Sequence, residues 1–379
     1  MDKRREYIIK KSLAIFLLIL LFIPVSQQYL HIFKEKPLKG AYEIYKNTKF
    51  IWNSWLEGDY QEKQERHLNQ HFGFRPFFVR LYNQTQYSLF NDTKSKVKGK
   101  NNMWYEEPYI LEALGRSFVG YELIQTKVRK LSAVYSALKK QDKEIILLLA
   151  PGKGSYYPEY IPDRYNPEVK TTTNYEVYLK ELSKTDIKVV DFKKWFEELK
   201  PNAKYPLFPN NGTHWSTYGE TLAVDSLIKY IASLGYAQRN EFIIGDEIII
   251  SDTAIGRDND IEEYLNLLID LPSIKLAYPT YSFKALNPKC KVPEILLMGD
   301  SFYWDIFEKD IINQAFSSKY YWYYNYVIHS TVDRLRYRWE TTYEEEIKNC
   351  DIILMVITDS NLKDFAFEFV DGMYDAFVK

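Results

Sequence analysis

Residues 294–301 read Glu294-Ile295-Leu296-Leu297-Met298-Gly299-Asp300-Ser301. The continuous apolar run predicts a strand buried on both faces, as in a parallel sheet. Gly299 permits a tight turn after the strand, which would expose the Ser301 hydroxyl at the start of a helix over 302–308. Backbone N–H groups at Gly299, Asp300 and Ser301 are candidate oxyanion donors. In the alternative interpretation, Asp300 or Ser301 only caps the helix.

Four further apolar or aromatic runs have the character of strands, and helix-length segments separate them. The predicted strands are Ile145–Ala150, Ile187–Phe192, Tyr320–Val327 and Ile352–Ile357. The predicted helices include Tyr121–Lys140, Lys193–Leu199 and Thr217–Leu234. Apolar strands alternating with helices predict an α/β fold, a three-layer sandwich around a mostly parallel sheet.

The N-terminus combines a basic end with an apolar run. Five Lys and Arg side chains among the first eleven residues precede the uncharged run Leu13–Val25. This arrangement favours a cytoplasmic N-terminus and a retained single-pass membrane anchor, with the main domain outside the cytoplasm. The run is also short enough for a cleaved signal, which would give a secreted protein. The predicted domains are residues 1–27 for this segment, 28–100 for a helical stalk, and 101–379 for the α/β domain.

Composition excludes several classes of function. Among 379 residues, 50 Lys and Arg balance 51 Asp and Glu, so no basic field is present to bind nucleic acid. Two cysteines cannot form a disulfide framework, and the five histidines are scattered, so neither a metal site nor another cofactor is predicted. Cys290 and Cys350 pair in one interpretation and stay separate thiols in the other.

A nucleophilic serine needs a base, and His214 is the best candidate. It lies in the turn-rich segment Asn210–Gly219, just before the predicted helix Thr217–Leu234 and next to Trp215. A histidine held on a loop in this way suits a general base. The alternative is that residues 213–216 only cap the helix.

At these residues the chain resembles a known family. Thr213-His214-Trp215-Ser216-x-x-Gly219 together with Gly299-Asp300-Ser301-Phe302 is similar to the SGNH hydrolase-like domain of the alginate O-acetyltransferase (AlgX/AlgJ-like) proteins. The flanking segments 71–75, 97–104 and 151–159 are similar to others of that family, so the resemblance spans about residues 60–360. The histidine precedes the serine in sequence, which is the reversed motif order of this family within the SGNH/GDSL hydrolases.

The resemblance implies an enzyme that moves an acetyl group onto a cell-surface or secreted polysaccharide. Ser301 would be the nucleophile and His214 the base, and a membrane-bound acyltransferase would donate the acyl group. The family usually has Asp two residues before the histidine, but this chain has Gly212 there. Asn210 or Asn211 is predicted to orient His214 through a side-chain carbonyl, and Asp225 is another possibility.

Three further residues are predicted to contact the substrate: Lys153, Trp215 and Arg75. Lys153 and Arg75 would suit an anionic sugar, and the alternative is that each is a surface or structural charge. Two other functions stay open. A carbohydrate acetyl esterase would use the same groups, and loss of the orienting acid would suit a polysaccharide-binding scaffold protein.

Overall fold

The computed structural model describes residues 3–40, 44–91, 93–94 and 96–379. Contacts divide the chain into two units, residues 1–94 with 262–271 and residues 95–261 with 272–379. The predicted boundaries after residues 27 and 100 stay predictions.

The first unit is helical. Its helices are α1 (Lys3–Leu30), α2 (Trp52–Leu56), α3 (Asp59–His71) and α4 (Arg75–Phe90). Within Arg4–Leu30, the most apolar stretch of 18 residues has a mean hydropathy of 2.4, and the rest of the protein buries none of that stretch. A helix of 28 residues is about 42 Å long, more than the ~30 Å hydrocarbon layer of a bilayer. By length and composition, α1 can therefore span a membrane.

The second unit contains the strands. They are β1 (Lys96–Lys98), β2 (Trp104–Glu106), β3 (Glu144–Ala150), β4 (Lys188–Asp191), β5 (Asn240–Ser251), β6 (Leu276–Ala285), β7 (Ile295–Gly299), β8 (Tyr320–Tyr323), β9 (Val327–Ser330), β10 (Arg336–Tyr337) and β11 (Ile352–Thr358). Seven of them form one sheet in the order β10-β9-β8-β7-β11-β3-β4, while β1 pairs with β2 and β5 with β6. The sheet is parallel from β8 to β4 and antiparallel only at β8-β9-β10.

Helices follow or separate the strands. In chain order they are α5 (Glu107–Ala113), α6 (Tyr121–Lys139), α7 (Lys153–Tyr156), α8 (Asn174–Leu182), α9 (Phe192–Leu199), α10 (Thr217–Ser233), α11 (Asp260–Leu265), α12 (Trp304–Glu308), α13 (Ile311–Ala315), α14 (Tyr343–Lys348) and α15 (Phe369–Phe377). Helix α11 crosses the boundary between the two units.

Both faces of the sheet are covered, which explains the unbroken apolar runs. In β3, Ile146 and Leu148 belong to the core that contains residues of α9 and α10, whereas Ile145 and Leu147 belong to the core that contains residues of α6 and α15. Successive side chains point to opposite faces, so a strand between two cores needs apolar residues at every position. The predicted α/β sandwich is confirmed.

The aromatic run is the main error in the predicted elements. A single strand was expected over Tyr320–Val327, but the chain turns between β8 and β9. Tyr324 and Asn325 have φ angles of +49° and +51°, and Tyr326 N–H donates to Tyr323 O at 3.0 Å. These angles and this hydrogen bond are those of a type I′ hairpin turn.

Cys290 is exposed and Cys350 is buried, and both are free thiols.

Candidate active site

Three side chains form a line of contacts at the carboxyl end of the parallel strands. The Ser301 hydroxyl oxygen lies 2.8 Å from His214 Nε2. On the other side of the ring, His214 Nδ1 lies 2.6 Å from Asp260 Oδ2. The spacing matches a nucleophile, its base and the group that orients the base. The structure thus brings together the two residues that the sequence paired and adds a third.

Ser301 follows β7, and β7 passes very close to β11 at Gly299. A Cβ atom on Gly299 would lie 2.6 Å from Val356 O, so any larger residue would push the two strands apart. The next residue, Asp300, is fully buried, and its N–H donates to Val356 O at 3.2 Å. That N–H is therefore not available to an oxyanion, and neither is the N–H of Gly299, which lies within the sheet.

The Asp300 carboxylate joins the ends of β7 and β11. It accepts hydrogen bonds from Thr358 N at 2.7 Å, Asn361 Nδ2 at 2.7 Å and Phe302 N at 3.1 Å. The last bond caps the short 3₁₀ turn that begins at Ser301. The capping interpretation is thus correct for Asp300, and the orienting or oxyanion role is wrong because its atoms are engaged here.

Replacing Asp300 by alanine is expected to lower stability by about 3 kcal/mol, because several buried donors lose their acceptor together. Chemical denaturation of the full-length chain in detergent would measure the change. The matched control is Asp252→Ala, because Asp252 is an exposed aspartate just after β5, and its loss should cost far less. Equal stability of the Asp300→Ala variant and the wild type would show that the Asp300 carboxylate does not hold the ends of β7 and β11 together.

His214 sits on a loop that other side chains hold in place. Ser216 caps α10 by accepting from Gly219 N at 3.1 Å, so the capping interpretation holds there as well. The Lys153 ammonium is buried and donates to Asn210 O at 2.9 Å and Gly212 O at 2.6 Å. Burial lowers its pKa well below the ordinary value. The predicted substrate contact of Lys153 is wrong, because the side chain braces the loop from inside.

Asp260 takes the position for which Asn210 and Asn211 were predicted. It lies 46 residues after His214 in sequence, and its other oxygen accepts from Thr213 N at 2.7 Å. The two asparagine side chains instead donate to Pro272 O, at 2.7 Å and 3.2 Å, and so fix the loop. The predicted orienting role of these asparagines is therefore wrong.

The glycine at position 212 has a physical explanation. A Cβ atom there would lie 2.8 Å from Asp258 O, so the segment that leads to Asp260 occupies the space of a side chain at 212. An acid two residues before His214 is thus sterically excluded, and the segment that excludes it supplies the acid. Asp225, the other predicted carboxylate, pairs with Lys229 on α10 at 2.7 Å.

The two charges at the site stabilise each other. Burial by itself lowers the pKa of His214, but the negative charge and hydrogen bond of Asp260 outweigh it and raise the pKa above 6.5. Burial would raise the pKa of Asp260, but His214 and the Thr213 N–H bring it below its ordinary value. Asp260 is therefore ionised at neutral pH, so His214 keeps its proton on Nδ1 and leaves Nε2 free to accept from Ser301.

Tyr324, on the unpredicted turn, supplies a further polar group at Ser301. Its hydroxyl is close enough to Ser301 that the hydroxyl and the backbone N–H of Ser301 both act to lower the pKa of the phenol. Burial raises the pKa of this phenol, so it stays protonated at neutral pH. A left-handed φ is uncommon for a large aromatic residue, and such strain clusters at functional sites. The phenol and the Ser301 N–H together form a candidate oxyanion hole.

The other predicted site residues have different surroundings. Trp215 is buried and packs against Phe196 and Phe302, with ring centroids 6.0 Å and 5.3 Å apart, but it also lines the cleft beside His214 and Ser301, so its substrate contact stays a prediction. Arg75 is the first residue of α4 in the first unit, and its substrate contact stays a prediction. Among the described residues, no group of three or more His, Cys, Asp or Glu side chains has the arrangement of a metal site.

Comparisons with known proteins were made for the whole chain. The family model for the SGNH hydrolase-like domain of acetyltransferase AlgX matches residues 116–244, which include His214 and end before Asp260 and Ser301. A probable alginate O-acetylase AlgJ of Pseudomonas syringae pv. tomato is 23% identical over 177 residues, which are 47% of this chain and 44% of that protein. This chain therefore matches less than half the length of that relative.

Solved structures of low sequence identity were also found. The O-acetyltransferase domain of Pseudomonas putida AlgJ is 12% identical with a TM-score of 0.49, and the match covers 74% of this chain and 99% of that domain. Bacillus cereus PatB1 with a sulfonyl adduct is 14% identical with a TM-score of 0.46, covering 71% and 98%. With the family model and the AlgJ relative, the predicted resemblance to the SGNH hydrolase-like domain of the AlgX/AlgJ-like proteins is confirmed.

Proposed function

We propose that this protein is an O-acetyltransferase that carries the acetyl group on Ser301 and passes it to a hydroxyl of a polysaccharide. The observation that carries the proposal is the unbroken line of contacts from Ser301 through His214 to Asp260. The names of the relatives, an acetyltransferase and a probable alginate O-acetylase, support the reaction class.

In the first half of the reaction, Ser301 Oγ bonds to the carbonyl carbon of an acetyl donor while His214 Nε2 takes the hydroxyl proton. The carbonyl oxygen becomes an oxyanion, and the Ser301 N–H and the Tyr324 hydroxyl donate hydrogen bonds to it. When the carbonyl re-forms, the bond to the leaving group breaks and His214 gives that group its proton. Asp260 stabilises the imidazolium throughout.

In the second half, a sugar hydroxyl replaces the leaving group. Its oxygen attacks the acetyl-serine carbonyl while His214 takes its proton, and the same two donors hold the oxyanion. The bond to Ser301 Oγ then breaks, and His214 returns the proton to the serine. If water attacks instead, the product is acetate. An acetyl esterase is therefore the second candidate, because all its groups are also present.

The proposed location is outside the cytoplasm. The basic N-terminal end followed by α1, which is long enough to cross a bilayer, supports a single-pass membrane anchor. On that side of the membrane the domain would meet an extracellular or periplasmic polysaccharide, and its acyl groups would come from a membrane-bound acyltransferase. The proposed domain limits are those given from the sequence, with residues 101–379 as the catalytic domain.

Transfer and hydrolysis are distinguished by the product. The full-length chain in detergent is incubated with a chromogenic acetyl ester as donor and an oligosaccharide as acceptor, and mass spectrometry follows the sugar. We expect sugars that gain the mass of one acetyl group. Acetate release without this gain would support the esterase, whereas no reaction together with retained sugar binding would support a scaffold protein.

A further inference from the structure

An exposed aromatic cluster lies on the antiparallel edge of the main sheet. Tyr337 and Trp339 are stacked, with centroids 4.7 Å apart and an angle of 8° between the rings. Tyr326 meets both edge-on, at 5.9 Å and 5.4 Å. Tyr326 is 57% exposed and Trp339 63% exposed. The rings are thus held in place by one another while their outer surfaces stay open to solvent.

The cluster borders a groove of about 800 Å³, whose lining combines the aromatic residues Tyr326 and Trp339 with the carboxylates of Glu368 and Asp371. Its volume is in the range of small-molecule sites. Flat apolar rings together with carboxylates suit a ligand that presents C–H groups on one face and hydroxyl donors at its rim. A pyranose sugar has both features.

The cations of the groove are already engaged. Lys127 and Lys130 both bind Asp371, the latter at 2.6 Å. Arg338 lies over the Tyr343 ring at 3.7 Å and donates to Thr341 O at 2.7 Å. Within the described lining, the exposed Glu368 has no cationic partner, so a polymer with a carboxylate on every sugar would meet repulsion here.

The cleft at Ser301 has acidic side chains in its lining, and their cationic partners are engaged with them. Glu220, Asp258 and Asp305 line the cleft beside His214, and Lys309 binds Glu220 at 2.7 Å. Its one lining arginine, Arg257, already binds two carboxylates, Asp305 at 2.9 Å and Glu308 at 2.8 Å. The residues that line the reaction centre therefore also disfavour an anionic acceptor.

The groove lies near the candidate oxyanion hole. Tyr326 follows Tyr324 by two residues, so their Cα atoms are at most about 7 Å apart. Asn325 Nδ2 donates to Phe367 O at 2.9 Å, and the Tyr324 and Phe367 rings lie 4.6 Å apart. Phe367 and Glu368 also have left-handed backbone angles, +49° and +63°. Two segments with left-handed backbone angles thus pack against each other beside the groove, and such strain is found at ligand clamps.

We propose that this groove binds the acceptor polysaccharide, that Tyr326 and Trp339 stack on its sugar faces, and that the sugars bound there are uncharged rather than uronates. The inference rests on the proposed function for the identity of the bound polymer as acceptor. Beyond the proposed function, the inference names the surface that binds the polysaccharide and the chemical class of its sugars.

Binding is tested apart from catalysis, with the full-length Ser301→Ala chain in detergent. Titration calorimetry is run with two uncharged hexasaccharides, of β-1,4-linked glucose and of β-1,4-linked N-acetylglucosamine, and with a hexauronate of the same length. We expect at least one uncharged sugar to bind and the hexauronate to bind more weakly. Trp339→Ala and Tyr326→Ala should each weaken that binding about tenfold, since each removes a stacking ring.

Tyr121→Ala is the matched control, because Tyr121 is 55% exposed and lies outside the groove. It should leave sugar binding unchanged, and Trp339→Phe should restore most of the affinity lost in Trp339→Ala. Any one of three results would overturn the proposal. The chain could prefer the hexauronate, it could bind neither uncharged sugar, or the Trp339→Ala variant could keep full affinity for the sugar. Failure of the proposed function is seen separately, as chromogenic ester cleavage that does not depend on Ser301.

Discussion

The Ser301→Ala variant of the full-length chain is expected to cleave an acetyl ester about 10⁴- to 10⁶-fold more slowly than the wild type, because it lacks the oxygen that forms the acetyl-enzyme. His214→Ala should lose a similar factor, since the serine hydroxyl then has no proton acceptor. The double variant should be no slower than either single one, because the two residues act as a unit. Initial rates with a chromogenic acetyl ester measure all three.

The control for this series is Ser136→Ala. Ser136 is an exposed serine on α6 whose hydroxyl donates to Ser132 O at 2.9 Å, and its loss should leave the rate unchanged. Thermal unfolding of each variant shows whether the fold is retained. Ester cleavage that persists at the wild-type rate in folded Ser301→Ala would contradict the acetyl-enzyme and leave only a binding role for the site.

Asp260→Asn is expected to lower turnover by about 10⁴-fold, because an amide can hold the histidine in the wrong tautomer. It should also change the dependence on pH. The base must be neutral to accept a proton, and Asp260 raises the pKa of His214, so kcat/KM of the wild type should rise with pH through a midpoint above 6.5. Without that charge, burial dominates and the midpoint should fall below 6.5.

Asp225→Asn is the matched control, because Asp225 was the other carboxylate considered from the sequence and pairs with Lys229 instead. Its rate and its pH midpoint should equal those of the wild type. A normal rate and an unmoved midpoint in Asp260→Asn, or a large loss in Asp225→Asn, would show that the orienting group has been assigned to the wrong residue.

The strands of the central sheet could be predicted because the residues of each strand by themselves show that it is buried on both faces. Strands such as β3 and β11 lie between two cores and are apolar at every position, so each run was recognised from its own residues. The run from Tyr320 to Val327 misled the prediction because aromatic residues favour strands on both sides of a turn. The turn carries no glycine, and only its φ angles reveal it.

The candidate site was predictable in part for the same reason. Ser301 follows a buried strand, and His214 precedes a capped helix, so each lies in a local pattern. Asp260 carries no such pattern, because only the folding of a distant segment against Gly212 brings it to the histidine. Lys153 was predicted to contact the substrate, with a surface or structural charge as the alternative. Its role as a buried structural charge depends on two carbonyl groups that only the fold places nearby.

The steric exclusion at Gly212 separates the acid from the base along the chain. In the motif of the AlgX/AlgJ-like proteins that this chain resembles, the acid usually stands two residues before the histidine, so a single deletion removes both. In this chain the acid and the base lie on two separate segments that can vary independently. The acid, Asp260, belongs to the connection between β5 and β6. A classification that requires aspartate two residues before histidine would count this chain among the inactive homologues, although a carboxylate lies 2.6 Å from the imidazole.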